Sequence, residues 1–369
     1  MHRLKIVHVI SDTNIGGAGR CLLNFLECFD RGALDIHVLV PHGAMLAPEI
    51  ERLGVPVTQA AGMSDQSMNV SAISSLTRHF RNLRPDIVHT HAALSARIAA
   101  RLAGTKVVYT RHSAFDQPAY MKTFPRKQLN RLVNSIFSDR IVSVSPAATA
   151  NLTDTGTNPD RITLIYNGVK RPPRLVPVER DELRARLGFA PTDFVAAIIA
   201  RLSSEKGHDC LLDAAKLPAC AGIKFAVAGS GETERHIRRR ISEEGIDNAV
   251  MLGFVKDVWQ LENIMDVQIN ASIGAEATSL SLLEGMALGI PAVVSDSGGN
   301  PYVVESGVSG LVVKAGNGDA LAHAVRRLKD DAQLYKALSD GALSAYERRF
   351  TAERMTEKIT NVYRKLVST

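Results

Sequence analysis

Short apolar runs rich in β-branched residues alternate with amphipathic stretches along the N-terminal half of the chain. Six such runs occur: KIVHVIS (5–11), DIHVLVP (35–41), PDIVHTH (85–91), KVVYTRH (106–112), RIVSVS (140–145) and ITLIYNG (162–168). Runs of this length that are apolar almost throughout are typical of strands covered on both faces. Their alternation with helical stretches predicts parallel βαβ units.

A charged, proline-rich segment, KRPPRLVP (170–177), interrupts this alternation, which then resumes. The second series is FVAAIIAR (194–201), KFAVAGS (224–230), AVMLGF (249–254), VQINAS (267–272), PAVVSDS (291–297) and GLVVKAG (310–316). The pattern predicts an α/β protein of two doubly wound, Rossmann-like domains, 1–171 and 172–349, that face each other across a cleft. The tail has helical spacing without strands, and we expect its last helix, 350–369, to cross back to the first domain.

The length and composition agree with this division. The chain has 369 residues, 45% of them hydrophobic, so it can bury a sizeable core and is longer than one core usually supports. No apolar run reaches the roughly 18 residues needed to span a bilayer, and LKIVHVIS lacks a cleavage signature, so we interpret it as a first strand. A cytoplasmic location is expected. The four cysteines show no C-x-x-C spacing, which disfavours a zinc knuckle or a disulfide framework.

The basic excess of the chain lies in its first half. Residues 1–170 contain 19 Lys and Arg against 12 Asp and Glu, which leaves 25 against 26 for residues 171–369. The densest basic segments are RHFRNLR (78–84) and MKTFPRKQLNR (121–131), which could meet an anionic surface or acceptor or could be solvated helix faces. Nucleic acid is disfavoured as a partner, because aromatic residues make up only 5% of the chain and are not interleaved with the basic ones.

Ligands of open parallel sheets bind at the carboxyl ends of strands, so the loops after the predicted strands are the candidate site. The first strand leads into SDTNIGGAGRCLLNFL, a glycine-rich turn that opens a helix. Gly16 and Gly17 let backbone N–H groups approach an anion, and the helix N-terminus favours negative charge, which predicts a phosphate site. A plain tight turn and a dinucleotide fingerprint stay open, although G-G-A-G-R and a second strand ending at Pro41 and His42 depart from the latter.

His112, in VVYTRHSAF, lies where a strand gives way to a loop of the first domain. A neutral imidazole there can hydrogen-bond a sugar hydroxyl or share charge in a transition state. His89 and His91 lie at the end of an earlier strand and could line the same edge. Histidines at strand ends are often packing residues, and we favour that interpretation for these two.

Arg201 and Lys206, in ARLSSEKGH, follow the first strand of the second domain. Two cations on a strand-to-helix loop can neutralise a diphosphate that leaves with two negative charges. Glu205 lies between them and leaves another interpretation open, a surface ion-pair cluster that contributes less than about 1 kcal/mol.

Glu276 and Glu284 are separated by seven residues at the entrance to an apolar helix, in GAEATSLSLLEGMALGIP. They could be a hydrolytic pair, a metal site, a helix cap or a grip on sugar-nucleotide hydroxyls. A glycosidase pair needs carboxyls roughly 5–10 Å apart, whereas eight residues of helix separate Cα atoms by about 12 Å. Glu276 is expected to precede the helix, so this distance does not decide between the alternatives. SLLE from Ser281 fits a capping box that would explain Glu284 but not Glu276. No D-x-D pair occurs, so the carboxylates that most often hold a divalent ion on a nucleotide diphosphate are absent.

EATSLSLLE, followed by GMALGIPAVVSDSGG, resembles the E-x7-E signature of the retaining glycosyltransferases of family 4, which have the GT-B fold. Further matches occur in the family's order across nearly the whole chain: NIGGAGR, TRHS, VSVSPAATANL, LIYNGV, ARLSSEKG, VAGSG and MLGFVKDV. A lone E-x7-E is weakly specific, whereas this ordered set covers both predicted domains.

The resemblance implies a role for each matching residue. His112 and Glu276 would be the catalytic residues in contact with the donor sugar, Glu284 would bind the ribose, and Val255 would lie against the base. The remaining implied donor contacts, mostly to the diphosphate, are Gly16, Gly17, Arg201, Lys206, Gly229, Thr278, Ser279, Leu280 and Ser281. No cofactor or metal would be required, because cations and backbone N–H groups would carry the charge of the leaving group.

One segment departs from the family pattern. Members commonly read E-G-F-G-L between the acids, whereas this chain reads Glu276-Ala277-Thr278-Ser279-Leu280. The loss of both glycines changes how closely the backbone can approach a sugar and supplies two hydroxyls. The identity of the donor is therefore expected to depend on these positions.

Together the residues and the resemblance predict a retaining, metal-independent hexosyltransferase. It would move a sugar from a UDP-sugar or GDP-mannose type donor to a hydroxyl acceptor in cell-surface glycan or glycolipid biosynthesis. The acceptor, a glycan, a lipid-linked sugar or a small molecule, is expected to meet residues 60–75 and 112–130, and the basic first domain is compatible with peripheral contact with the inner face of an anionic membrane. A sugar-nucleotide epimerase of the same architecture and a non-enzymatic sugar-nucleotide binder stay open as alternatives.

Overall fold

A computed structural model describes residues 3–61, 63, 67–115, 117–274 and 276–368. The chain forms two compact units. Unit 1 contains the described residues up to Gly168 and those from Ala352 onward, and unit 2 spans Val169–Thr351. The sequence predicts domain boundaries after 171 and 349, close to these positions. Residues 62, 64–66 and 116, in the segments expected to meet the acceptor, lie outside the described residues.

Unit 1 is a parallel sheet with helices on both faces. Its strands are β1 (Leu4–Ile10), β2 (Leu34–Pro41), β3 (Val57–Ala60), β4 (Ile87–His91), β5 (Lys106–Arg111), β6 (Arg140–Ser143) and β7 (Ile162–Leu164). Its helices are α1 (Gly17–Cys28), α2 (Ala47–Arg52), α3 (Val70–Leu83), α4 (Leu94–Leu102), α5 (Arg126–Phe137), α6 (Pro146–Asp154) and, from the end of the chain, α15 (Ala352–Val367). The strand order is β3-β2-β1-β4-β5-β6-β7, with every neighbouring pair parallel.

The alternation of side chains along β1 divides the core of unit 1 between two faces. Ile6 and Ile10 pack with residues of α1 and α15, whereas Val7 and Val9 pack with α3 and α4. Helix α15 is amphipathic, and its buried side chains in this core recur at helical spacing: Met355, Ile359, Val362, Tyr363 and Leu366. The central strands are therefore covered on both sides, as their apolar sequences require.

Unit 2 repeats the same architecture. Its strands are β8 (Phe194–Ile199), β9 (Ile223–Ala228), β10 (Ala249–Gly253), β11 (Val267–Asn270), β12 (Ala292–Ser295) and β13 (Gly310–Val313). Its helices are α7 (Pro177–Arg186), α8 (His208–Ala215), α9 (Glu234–Glu243), α10 (Val258–Ile264), α11 (Leu280–Ala287), α12 (Asn300–Val303), α13 (Gly318–Asp330) and α14 (Ala332–Arg349). The parallel strands lie in the order β10-β9-β8-β11-β12-β13.

The structure confirms the predicted fold class of two doubly wound, Rossmann-like domains. Each apolar run identified in the sequence contains a strand. Strand β3 was not predicted, because it has four partly exposed residues at the edge of the sheet and lacks the continuous apolar run of a covered strand. None of the described helices combines the length and apolarity needed to cross a bilayer.

Candidate active site

Each sheet has one point at which the strand order reverses. In unit 1 it lies between β1 and β4, and in unit 2 between β8 and β11. The loops that leave the two strands at such a point run to opposite faces of the sheet, which opens a crevice at their carboxyl ends. Most of the residues singled out in the sequence lie on these loops.

In unit 2 the loop after β8 and the loop after β11 meet through an ion pair. Lys206 Nζ donates to Glu276 Oε2 at 2.7 Å, with the two side chains 23% and 11% exposed. Ser272 Oγ donates to the same carboxylate oxygen at 3.2 Å. Gly207, which follows the lysine, has φ +72°, and a Cβ there would lie 1.9 Å from Ala271 O. The glycine therefore lets the lysine loop pass directly against the start of the glutamate loop.

The backbone of Glu276 is held by two glycines of the segment after β12. Gly299 N donates to Glu276 O at 2.7 Å. Gly298 has φ +57°, and a Cβ on it would lie 2.4 Å from Glu276 O. A Cβ on Gly299 would lie 1.8 Å from Ala277 O. Only glycines allow this approach, so the SDSGG segment positions the acid that precedes α11.

Helix α11 begins directly after this acid. Ser279 is its N-cap and accepts a hydrogen bond from Leu282 N, and the first turn contains no acidic residue. Ser281 Oγ donates to Ile199 O at 3.1 Å, which ties the first turn to the end of β8. The N–H groups at Ser279, Leu280 and Ser281 lie at the positive end of the helix, which suits an anion.

The capping-box explanation of Glu284 is wrong. It required Ser281 as the N-cap, whereas the helix is capped by Ser279, so Glu284 lies beyond the first turn. Glu276 precedes the helix, and the two acids therefore do not share a continuous helix. Glu284 is partly buried on α11, and Thr278 is buried before it.

The other predicted donor contacts of unit 2 follow β8, β9 and β10. Arg201 is exposed two residues after β8. Gly229 follows β9 with φ +147°, and a Cβ on it would lie 1.9 Å from Ala200 O, so the glycine allows the β8 and β9 loops to touch. Val255 packs in part against an apolar core cluster, while the adjacent Phe254 is 74% exposed.

In unit 1, Gly16 and Gly17 lie at the start of α1. Gly16 is an N-cap without a side-chain hydrogen bond, and the first turn of the helix has no acidic residue. A Cβ on either glycine would meet nothing within 4 Å, and both residues are exposed. The turn at the start of α1 therefore borders open space, where an anion could approach the helix N-terminus.

His112 follows β5 and is half-buried. Its Nε2 shares a hydrogen bond of 2.7 Å with His91 Nδ1, and its Nδ1 is buried without a partner. Burial lowers the pKa of His112 to about 4, so the ring is neutral near pH 7. A buried ring nitrogen without a partner is the kind of group that a ligand satisfies.

Three further histidines lie behind His112 on the same sheet. His89 and His91 are buried on β4, in keeping with the packing role favoured above, and His8 is buried beside them on β1. Burial lowers the pKa of His8 to about 3 and holds those of His89 and His91 well below their usual value. His8 was not recognised in the sequence. Its only signal is a polar residue inside the apolar run KIVHVIS.

Two protein-family models match the chain, one on each domain. The model described as "Glycosyltransferase Family 4" matches residues 15–171, and the model described as "Glycosyl transferases group 1" matches residues 179–344. Together they cover most of the chain and both crevices described above.

Curated relatives and solved structures agree with these matches. The chain is 26% identical over 355 residues to the putative glycosyltransferase EpsD of Bacillus subtilis (strain 168). The match covers 92% of this chain and 92% of EpsD. It is 24% identical to the UDP-Gal:alpha-D-GlcNAc-diphosphoundecaprenol alpha-1,3-galactosyltransferase of Escherichia coli, over 98% of this chain and 97% of that protein.

The fold is also that of Anabaena HepE, solved in complex with UDP and glucose. The TM-score is 0.86 at 21% sequence identity, and the match covers 98% of this chain and 100% of HepE. Two Rossmann-like units, two family models that divide at the domain boundary, and full-length relatives lead to one assignment. The chain belongs to glycosyltransferase family 4, with the GT-B fold.

Proposed function

We propose that the protein transfers a hexose-type sugar from a nucleoside-diphosphate sugar to a hydroxyl acceptor, with retention at the anomeric carbon and without an essential metal. The observation that carries this proposal is the Lys206–Glu276 pair at the point of unit 2 where the strand order reverses. It combines a cation for a leaving phosphate with a carboxylate for the sugar, directly before the N-terminus of α11.

The donor is assigned to unit 2 by the chemistry of its loops. A diphosphate suits the N–H groups at Ser279–Ser281 together with the cations Arg201 and Lys206. We assign the ribose hydroxyls to Glu284 and the base to the surface beside Val255. In unit 1 we assign the sugar hydroxyls to His112 and an anionic group to the turn at Gly16 and Gly17. HepE, which is solved with UDP and glucose, and a relative named for UDP-Gal support a sugar nucleotide as donor.

The proposed reaction breaks the bond between the anomeric carbon and the diphosphate oxygen. The acceptor hydroxyl attacks the same face, and its proton passes to the departing phosphate oxygen. Lys206 would neutralise the charge that develops on that phosphate while its contact with Glu276 keeps the carboxylate beside the sugar. The neutral ring of His112 would donate a hydrogen bond without adding positive charge next to an oxocarbenium-like sugar.

The test has two stages. Thermal unfolding with UDP- and GDP-sugars identifies the donor, since a ligand at 100 times its dissociation constant adds about 2.7 kcal/mol of stability. The donor is then incubated with glycan, lipid-linked and small-molecule acceptors, with and without EDTA, and the anomer of the product is read by NMR. We expect a retained anomer and equal rates with the chelator. An inverted anomer contradicts retention, and loss of turnover with EDTA contradicts the metal-free scheme.

The same assay separates the two alternatives. A sugar-nucleotide epimerase would convert the donor alone into an isomer, without any acceptor. A binder without activity would be stabilised by a sugar nucleotide and would turn over with none of the acceptors. The glycan or glycolipid pathway named above is supported by relatives such as the diphosphoundecaprenol galactosyltransferase.

We also propose that unit 1 contacts an anionic membrane surface through α5 and the segment before it, called here the α5 surface. Residues 117–138 contain four cations and no carboxylate. Large apolar side chains are exposed on the same segment: Tyr120, Phe124, Leu129, Leu132 and Ile136, with Phe124 79% exposed. An amphipathic basic helix with an exposed apolar stripe is typical of segments that lie in a membrane interface.

Vesicle cosedimentation tests the α5 surface. We expect binding to vesicles of anionic lipid at low salt, weaker binding at high salt, and none to neutral vesicles. The double variant Leu129→Ser/Leu132→Ser should lose binding. Val70→Ser is the matched control, because Val70 is 73% exposed on another helix of the same unit. Binding that is unchanged in the double variant would contradict the proposal.

A further inference from the structure

Four histidines of unit 1, His8, His89, His91 and His112, belong to one continuous chain of hydrogen bonds that runs through the buried face of the sheet. The chain joins six groups in the order Thr110, His89, Tyr363, His8, His91 and His112. Its distances are 2.6, 2.5, 3.2, 3.1 and 2.7 Å from the threonine end to the histidine end. We call this set the histidine chain.

Each link of the histidine chain needs one proton. The rings are neutral, so each carries one N–H donor and one acceptor nitrogen, and the Tyr363 hydroxyl carries one proton. Both ring nitrogens of His8, His89 and His91 take part in the histidine chain, so a ring that donates the bond on one side must accept the bond on the other. Two ordered states follow: all four rings carry the proton on Nδ1, or all four carry it on Nε2.

The two ends of the histidine chain distinguish these states. With the protons on Nδ1, Thr110 donates to His89 Nε2, and the single unsatisfied group is His112 Nδ1–H. With the protons on Nε2, the Thr110 hydroxyl proton has no acceptor among the described residues, and His112 Nδ1 is left as an unsatisfied acceptor. The first state leaves fewer buried polar groups unpaired, and such groups are costly.

We propose that the histidine chain is a positioning device that fixes His112 in the Nδ1–H tautomer, so that it presents a hydrogen-bond donor to a ligand oxygen. Tyr363, on α15, is its central positioning residue. Its hydroxyl accepts a hydrogen bond from His89 and donates one to His8, so the two rings carry their protons on the same nitrogen. The identity of the ligand oxygen, a hydroxyl of the donor sugar, rests on the proposed function. The tautomer itself does not.

A metal site is the competing explanation of the same cluster. Ring nitrogens of His8, His89 and His91 all lie within 4.8 Å of one another. A bound metal would require their lone pairs, whereas each of these nitrogens is already engaged in a hydrogen bond within the histidine chain. The hydrogen-bonded arrangement also accounts for Tyr363 and Thr110, which a three-histidine metal site leaves unexplained.

NMR of the full chain labelled with ¹⁵N-histidine tests the proposal, because long-range ¹H–¹⁵N correlations report which ring nitrogen carries the proton. Resonances are assigned with single histidine-to-glutamine variants. We expect the four rings to be Nδ1–H in the wild type. Tyr363→Phe should convert His112 to a mixture of tautomers, because both proton orders then leave one donor and one acceptor unpaired. Tyr346→Phe is the matched control, since its buried hydroxyl donates to Val169 O outside the histidine chain.

A second pair of variants keeps the test valid if Tyr363→Phe fails to fold. Thr110→Val removes the hydroxyl that sets the order and should also produce a mixture, whereas Thr110→Ser should keep the single tautomer. Nε2–H rings or a mixture in the wild type, a His112 tautomer unaffected by both disruptive variants, or one equivalent of tightly held metal in elemental analysis would overturn the proposal. No sugar nucleotide is used, so failure of the proposed function leaves this result unaffected, and the reverse also holds.

Discussion

The two units have the same order of central strands, but they differ in the side chains at the point where that order reverses. These side chains are charged in unit 2 and neutral in unit 1. In unit 2 the loops after β8 and β11 meet through the charged pair of Lys206 and Glu276. In unit 1 the strands β1 and β4 contribute the neutral, buried rings of His8, His89 and His91. The fold supplies a crevice in both cases, whereas the residues that line it determine whether the site holds charge or ordered neutral donors.

The difference also extends to how each site is held in place. The acid of unit 2 is fixed by backbone contacts that only glycines permit, at Gly298 and Gly299. His112 of unit 1 is fixed by a series of side-chain hydrogen bonds that passes through Tyr363, on a helix from the other end of the sequence. The following predictions test this contrast, from the largest expected effect to the smallest.

Glu276→Gln should break the charged site of unit 2. The variant removes the carboxylate that pairs with Lys206 and is proposed to contact the sugar, so we expect kcat to fall by about 100-fold or more. The measurement is steady-state transfer with the donor found in the thermal screen. Glu243→Gln, on the exposed face of α9, is the control and should keep wild-type rates. Comparable rates in the two variants would remove Glu276 from the site.

Gly298→Ala should damage the glycine support of the same acid. A residue with a Cβ is strained at φ +57°, by about 1–3 kcal/mol, and here the Cβ would also meet Glu276 O. Gly307→Ala is matched, because its φ is +80° and a Cβ there meets nothing within 4 Å. Both variants should lower the free energy of unfolding in urea, and only Gly298→Ala should also lower transfer. Equal loss of transfer in both would show that strain alone is responsible.

Acid should weaken unit 1 more than unit 2. The unfolded chain binds protons at its histidines below about pH 6.5, whereas the buried rings stay neutral to much lower pH. The free energy of unfolding is therefore unaffected by these rings above about pH 6.5. Below that pH it falls by about 1.4 kcal/mol per pH unit for each fully buried ring. Unit 2 has one such residue, His208, whose pKa burial lowers to about 4.

Hydrogen exchange, corrected for intrinsic rates, measures this difference. Between about pH 7.5 and 5.5, on either side of the ordinary histidine pKa, peptides from β1 and β4 should lose more protection than peptides from β8 and β11. His8→Gln should reduce the loss in unit 1, and His42→Gln, at an exposed position, should leave it unchanged. An equal loss of protection in both units would contradict the prediction that acid weakens unit 1 more than unit 2.

Ser279→Gly should have the smallest effect on stability and a selective effect on donor choice. Glycine is nearly as good an N-cap as serine, so the free energy of unfolding should fall by only about a few tenths of a kcal/mol. The backbone before α11 becomes more permissive, and the ranking of sugar nucleotides in the thermal screen should change. Asn317→Gly, at the N-cap of α13, is the matched control and should keep the ranking. An unchanged ranking in Ser279→Gly would locate donor choice elsewhere.

Much of the fold could be predicted from the sequence, because strands buried on both faces leave long apolar runs. The edge strand β3 has no such run and was missed. The capping-box alternative put the start of α11 two residues too late, for a tertiary reason. Ser279 and Ser281 are both suitable N-caps, but the Ser281 hydroxyl donates to Ile199 O and so does not cap the helix.

The loops that carry the candidate site could be predicted from topology, but their partners could not. The pairing of Lys206 with Glu276 spans 70 residues, and that of His8 with Tyr363 spans 355. Neither separation leaves a local pattern. The strand-end histidines were correctly expected to be buried, but a single sequence does not show that they are joined into one chain.

The position of α15 has a consequence for how the protein is made. Unit 1 is built from the first 168 residues and the last helix, whereas unit 2 is continuous from Val169 to Thr351. During synthesis the ribosome releases the core of unit 2 before it releases α15, whose Met355 and Tyr363 fill the core of unit 1. Translation of unit 1 therefore begins before that of unit 2 and is completed after it, and loss of α15 would damage unit 1.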